Sequence, residues 1–284
     1  MSGVDPSAAV AKQTKLAAEI FDELYNKTFD GVGVTRASYG EGEQVASELL
    51  ESHAKKLGLV IDHDAAGNIY MTMRGESQEA PPIVIGSHID SVAQGGNFDG
   101  AAGVISGLIA CAGIIEKGIR LPQDVRVMGI RAEESAWFGV SYIGSRSALG
   151  TLPKDALDNA KRSDTGITLG EHMLKAGCNV DALRAGDIYL PPSSLKAYLE
   201  VHIEQGPVLD NKDLPLGIVT GIRGNRRLPS AQCIGEYSHC GGVPRSYRKD
   251  AVLAVTDLVN YLDKIWDECE NEGKDFAFTV GKFF

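Results

Sequence analysis

Residues 82–107 read PIVIGSHIDSVAQGGNFDGAAGVISG, and few folds accept that order of side chains. A short Val/Ile run, bounded by Pro81-Pro82 and by a glycine, predicts a parallel strand buried on both faces. His88 and Asp90 then fall just past its carboxyl end, where open α/β sheets place their ligands. The AQGGN segment lets the chain double back free of Cβ clashes, and DGAAGVISGLIACAGIIEKG has the small, apolar periodicity of a buried helix. Asp99 thus stands at a helix N-terminus, either as an N-cap or as a ligand.

The same arrangement recurs twice. VRVMGIRAEES is a β-rich run ending in Glu133 and Glu134, and KAYLEVHIEQGP places His202 after another alternating strand. A lone His or Asp at such a position reads as structural. Two His, an Asp and adjacent Glu residues, each just beyond a strand, suit divalent cations of borderline hardness.

Four ordered segments, GSHIDSVAQGGNFDGAAGV, RAEESAWFGVSYIGSRS, LEVHIEQGPVL and GIVTGI, together resemble the dinuclear metal amidohydrolases of the M20 metallopeptidase superfamily. The nearest branch holds N-carbamoyl-L-amino acid hydrolases, β-ureidopropionases and allantoate amidohydrolases. The resemblance runs from about Glu41 to the end of the chain. It implies an α/β catalytic domain over residues 1–214, with a central, mostly parallel sheet flanked by helices. Residues 215–284 would then begin an α+β ferredoxin-like lid or dimerisation domain. By the same resemblance His88 and His202 bind one metal, Asp99 bridges two, Glu134 binds the second, Glu133 is the general base and Asp90 holds the His88 ring. Two divalent ions are implied, zinc first, with manganese, cobalt or nickel fitting the same donors.

The implied reaction is hydrolysis of a linear C–N amide or ureido bond of a small N-carbamoyl or N-acyl amino acid by a metal-bridging hydroxide. Gln205 matches a family position that hydrogen-bonds substrate, or else caps a turn. HCGGVPRSYRKDA matches the lid motif whose His polarises the substrate carbonyl in the partner subunit's site, which assigns that role to His239 and implies a homodimer. Cys240 and the GGVPR run depart from that motif, so the recognised side chain stays open. Arg245 either adds a cation near the substrate or is solvated. Relatives continue with further lid strands, an Asn and an Arg for the substrate carboxylate, and a His for the second metal. The expectation is therefore a truncated or split product, or a site completed by another chain. The alternatives are a di- or aminopeptidase, where an acid usually replaces His202, and an inactive fragment that only binds metal or dimerises.

Composition narrows the partners. A net charge of -10 over 284 residues argues against nucleic acid and anionic membranes; the small-molecule substrate is what the resemblance implies. Five Cys without a CxxC predict a reduced, cytoplasmic protein, and no catalytic signature surrounds Cys240. The N-terminal MSGVDPSAAVAKQTK lacks an apolar core and reads as a solvated leader. Helices are predicted over 15–27, 42–57 and 250–271, a hairpin over 59–75 with Gly67-Asn68 in its turn, one weak helix over 169–176, and strands over 216–224, 231–239 and 276–283. His53, His63 and His172 are expected at the surface.

Overall fold

The computed structural model describes residues 6–222, 228 and 231–281. The first five residues of the expected leader, Arg223 and Gly224 of one expected strand, and Lys282 and Phe283 of another lie outside the described residues. The chain divides into two compact units at Pro207/Val208.

The first unit is built on five strands, β1 (Val60–His63), β2 (Ile69–Met73), β3 (Ile83–His88), β4 (Val125–Ile130) and β5 (Ala197–Leu199), in the order β1-β2-β4-β3-β5. β3 pairs in parallel with β4 and β5, while β2 is antiparallel to β1 and β4, so four of the five strands run the same way. Helices α1 (Ser7–Lys12), α2 (Thr14–Thr28), α3 (Glu41–Lys56) and α4 (Ala101–Glu116) precede and interleave with these strands. Five short helices follow: α5 (Ser135–Phe138), α6 (Ile143–Ala148), α7 (Ala156–Asn159), α8 (Leu169–Lys175) and α9 (Val180–Ala185).

The alternation of β2 shows how the sheet is covered. Ile69, Met71 and Met73 join Ile20, Leu24, Leu50, Val104 and Leu108 in one core, whereas Tyr70 joins Val84, Met128 and Ile130 in another. Two covered faces explain why β2 is buried at every position, as strands in a three-layer α/β fold must be. The hairpin turn is fixed by Asp64, whose Oδ1 accepts the Ala66 and Asn68 N–H groups around Gly67 at φ 76°.

Three expectations of exposure fail, each because tertiary cover is invisible to local periodicity. The leader is not wholly solvated: it forms α1, which buries Ala9, and Val10 lies against Gly113 of α4. His53 is buried with its Nε2 3.2 Å from Glu23 Oε1, and His172 is buried with its Nε2 3.0 Å from the Thr165 hydroxyl. Between 151 and 192 the chain forms α7, α8 and α9 where one weak helix was expected, and α8 starts with a Thr168/Glu171 capping box.

The second unit holds α10 (Val208–Asn211) and the long α11 (Ala251–Asn271), whose N-cap Asp250 accepts from the Val252 and Leu253 amides. Its expected strands are not formed among the described residues. The described backbone there is extended but has no ladder, and the Glu236 N–H donates to Lys249 O. Trp266 meets Phe276 and Phe278 edge-on, at 6.4 and 6.0 Å.

Close approach of α4 to the strand ends depends on Gly103. A Cβ there would lie 2.3 Å from Val201 O and 2.6 Å from Ser87 Cβ. Alanine inside a helix normally gains about 1 kcal/mol over glycine. Overpacking costs about 1–3 kcal/mol and here the obstacle includes backbone. Gly103→Ala is therefore expected to lower the denaturation midpoint at unchanged m-value; a raised midpoint would refute the tight docking of α4.

Candidate metal centre

Parallel register carries the candidate ligands to one level. Ile85 pairs with Leu199 and His88 pairs with Ile130, so His202, three residues beyond Leu199, comes alongside His88, three beyond Ile85. Glu133 and Glu134 follow Ile130 on the other flank. Asp99 arrives from the β3–α4 loop, which is stapled from inside by Arg36. The buried Arg36 side chain donates to Ile89 O at 2.8 Å, to Asn97 and to Asp99 O, holding both limbs of the loop. Burial lowers the Arg36 pKa to about 10, with Asp90, Asp99 and Glu43 acting in the opposite direction.

Asp99 is not an N-cap. Gly100 occupies that position of α4 at φ 63° and no side chain caps the helix. A Cβ at Gly100 would sit 2.5 Å from the His88 ring, so glycine is what lets the loop pass so close. Asp99 Oδ2 accepts a 2.6 Å hydrogen bond from Gln205 Nε2, while Oδ1 is buried and accepts none.

The two imidazoles complete the picture. His88 Nδ1 lies 3.0 Å from Asp90 O and His202 Nδ1 lies 2.9 Å from Ile203 O, so each ring assigns its Nδ1–H to a carbonyl and, when neutral, leaves Nε2 as a lone pair. The two Nε2 atoms are 3.4 Å apart, and Asp99 Oδ1 is 3.4 Å from one and 3.3 Å from the other. With both rings neutral, these three converging acceptors require a proton or a cation between them. The donor set of two imidazoles and a carboxylate fits a divalent transition ion. His88 also groups with Glu133 and Glu134, donor atoms within 4.8 Å of one another.

Asp90 joins the two strand ends. Its carboxylate, fully buried, accepts from Ser38 Oγ at 2.7 Å and from the Glu133 and Glu134 amides at 3.0 and 3.1 Å, with Oδ1 3.4 Å from His88 Nδ1. Burial disfavours a charge on His88, but Asp90 and Asp99 outweigh it and lift the pKa to about 10. The His88 imidazole in turn holds Asp99 below the usual carboxylate range. Burial, then Glu133, pushes the Glu134 carboxyl up to about 7, and burial also raises Glu133 against the pull of His88.

The structure thus brings His88, Asp90, Asp99, Glu133, Glu134, His202 and Gln205 together. His239 belongs to the second unit, where its Nδ1 accepts from the Gly241 and Gly242 amides. Sequence reasoning missed Arg36, Ser38 and Glu43, whose polar run TRASYGEGE shows no periodicity, Arg131 just past β4, and Glu200, which accepts from Ser87 Oγ at 2.7 Å. A cavity of about 380 Å³ opens beside His88, Glu133 and His202 and is walled by Met128, Ile130 and Leu190.

Peptidase family M28 matches residues 68–183, which include every candidate ligand except His202. N-carbamoyl-L-amino acid amidohydrolase of Geobacillus stearothermophilus is 38% identical over 88% of this chain, and probable allantoate deiminase of Oryza sativa subsp. japonica 34% over 85%. A crystal structure of a hydantoinase/carbamoylase family amidase from Burkholderia ambifaria superposes with a TM-score of 0.72 at 29% identity over 90% of this chain. The chain spans 58% and 49% of the two relatives and 60% of the crystallised chain. The relatives fall in the carbamoylase and allantoate branch that the four motifs indicated. Over the aligned part of its length, the chain is similar to N-carbamoyl-L-amino acid amidohydrolases and to hydantoinase/carbamoylase family amidases.

Proposed function

We propose that this chain carries the metal-binding part of an amidohydrolase that cleaves a linear C–N amide or ureido bond of a small N-carbamoyl or N-acyl amino acid-like substrate. The observation that carries the reading is Asp99 Oδ1, buried, without a hydrogen bond and flanked by two imidazole Nε2 atoms. His88, His202 and Asp99 would hold one divalent ion, and Asp99 with Glu134 a second. Zinc suits this mixture, and manganese, cobalt or nickel suits it too. Bound there, such ions supply Lewis acidity toward the scissile carbonyl and an activated water at neutral pH.

The chain's own residues do the rest. Glu133 takes the proton of the attacking water and returns it to the leaving nitrogen. Its half-buried carboxyl, raised above the ordinary range, is suited to both steps. Asp90 fixes the Glu133 and Glu134 backbones and lies against the His88 ring. Gln205, bonded to the outer oxygen of Asp99, orients that carboxylate and stands ready to meet substrate. His239 accepts at Nδ1, so its neutral ring carries the proton at Nε2, the tautomer needed to donate to a carbonyl.

The second unit would serve as the lid and dimerisation domain. The five unpaired thiols support a cytoplasmic setting, and no described helix is long and apolar enough to cross a membrane. The carbamoylase and allantoate relatives favour non-peptide bonds over dipeptides.

Two results are expected. Glu133→Gln lowers turnover by about 10²- to 10⁴-fold while metal content per chain is retained, assayed on N-carbamoyl amino acids, allantoate, N-acyl amino acids and dipeptides; unchanged turnover would remove Glu133 as the base. Asp99→Asn and His202→Ala each lower metal content after dialysis against trace metal, measured by elemental analysis. Full metal content in both would place the ligands elsewhere.

A further inference from the structure

Behind the candidate ligands lies a buried carboxylate that the reaction as proposed does not use. Glu43, at the start of α3, is fully buried, and its two oxygens are taken by backbone and by Arg131. Oε1 accepts the Ala132 amide at 2.8 Å; Oε2 accepts the Tyr39 amide at 2.7 Å and the Arg131 Nε–H at 2.8 Å, with Arg131 Nη2 also 2.7 Å away. Tyr39 and Ala132 have φ of 50° and 52°, a left-handed conformation that residues with a Cβ seldom adopt. One carboxylate therefore holds the amides of two such residues.

The consequence lies immediately downstream. Ala132 directs the chain so that the next two amides, of Glu133 and Glu134, both reach Asp90. The carbonyls of residues 131, 132 and 133 are bonded in turn by the amides of Gly144, Ile143 and Tyr142. The turn is thus gripped at its amides by Glu43 and Asp90 and at its carbonyls by the start of α6. Of these grips, Glu43 alone reaches the amide of the left-handed residue itself. We propose that Glu43 is a positioning residue, whose carboxylate fixes the Ala132 turn and thereby aims the Glu133 and Glu134 side chains at His88. This rests on the reading of Glu133 and Glu134 as site residues given above.

Removing Glu43 alone would strand the Arg131 charge in the interior, so a simple loss of stability must be separated from a loss of aim. The double variant Glu43→Met, Arg131→Met removes both charges together. Two readouts are taken on the 284-residue chain: amide hydrogen exchange resolved over residues 131–135, and Co²⁺ affinity with its visible spectrum. In the wild type the amides of residues 132, 133 and 134 are expected to be protected and to open together. Exchange of all three at unprotected rates would overturn the proposal without any variant. In the double variant exchange at these amides is expected to rise at least about tenfold while the β3 amides are unchanged, and Co²⁺ affinity to fall about 10- to 100-fold with a weakened spectrum. A folded double variant with wild-type Co²⁺ affinity and spectrum would reduce Glu43 to a structural ion pair and overturn the proposal. If the wild-type chain binds no Co²⁺, the metal-centre reading fails by itself, and the exchange measurement still decides whether Glu43 fixes the turn.

Discussion

The arrangement at this centre depends on one buried carboxylate, that of Asp90. Two parallel strands end side by side at His88 and Ile130, and the chain leaves each end in a different direction. Asp90 keeps the two exits together by accepting the Glu133 and Glu134 amides, with Ser38 supplying a third donor. Hydrogen bonds to an ionised group contribute about 1.5–3 kcal/mol each, about twice a neutral pair. A buried carboxylate with three such partners has no cheaper arrangement available, so the two ends are fixed relative to each other and the side chains they carry are fixed with them.

Around Asp90 the fold places charge where composition alone would forbid it. Arg36, Glu43 and Arg131 are as buried as the aliphatic core: Arg36 donates to backbone carbonyls, Glu43 accepts backbone amides, and Arg131 is held by the Glu43 and Gln44 side chains. All three act on the loops that leave the strand ends. The segment from Arg36 to Glu43 carries Arg36 to the β3–α4 loop, Ser38 to Asp90 and Glu43 to the turn after β4. A short polar stretch thereby braces the two loops that carry the candidate ligands, about forty residues apart in sequence. Fully satisfied polar networks of this kind specify geometry more than they add stability.

What was legible in the sequence follows from this division of labour. β3, β4, α3 and α4 announced themselves through apolar periodicity, and the strand-end positions of His88, Glu133 and His202 followed from it. Asp99 stood out as a candidate ligand only in company, because a lone acid at a helix start is most simply a cap. Gly100, which excludes that cap and admits the loop against His88, gave no sign in the pattern. His53 and His172 were misread because their cover comes from residues distant in sequence or from a turn that only the folded chain forms. The bracing residues of TRASYGEGE were missed for the same reason: the run has the composition of a solvated loop, and Arg36 and Glu43 turn inward toward partners 50 or more residues away.

The same geometry crowds like charge at this centre. Asp90, Asp99, Glu133 and Glu134 cluster against two imidazoles, and the buried guanidinium nearest to them, Arg36, is already engaged by carbonyls. Without a cation the cluster must be balanced by protons. That is what a His88 pKa near 10 and a Glu134 pKa near 7 express, the first through neighbouring acids and the second through burial and Glu133. A divalent ion among these donors would displace those protons and satisfy Asp99 Oδ1 at once, so its binding energy adds directly to the stability of the folded unit. The candidate ligands and the fold are thus coupled through the strand-end loops, since the buried groups that brace those loops also fix where His88, Asp99, Glu133 and Glu134 stand.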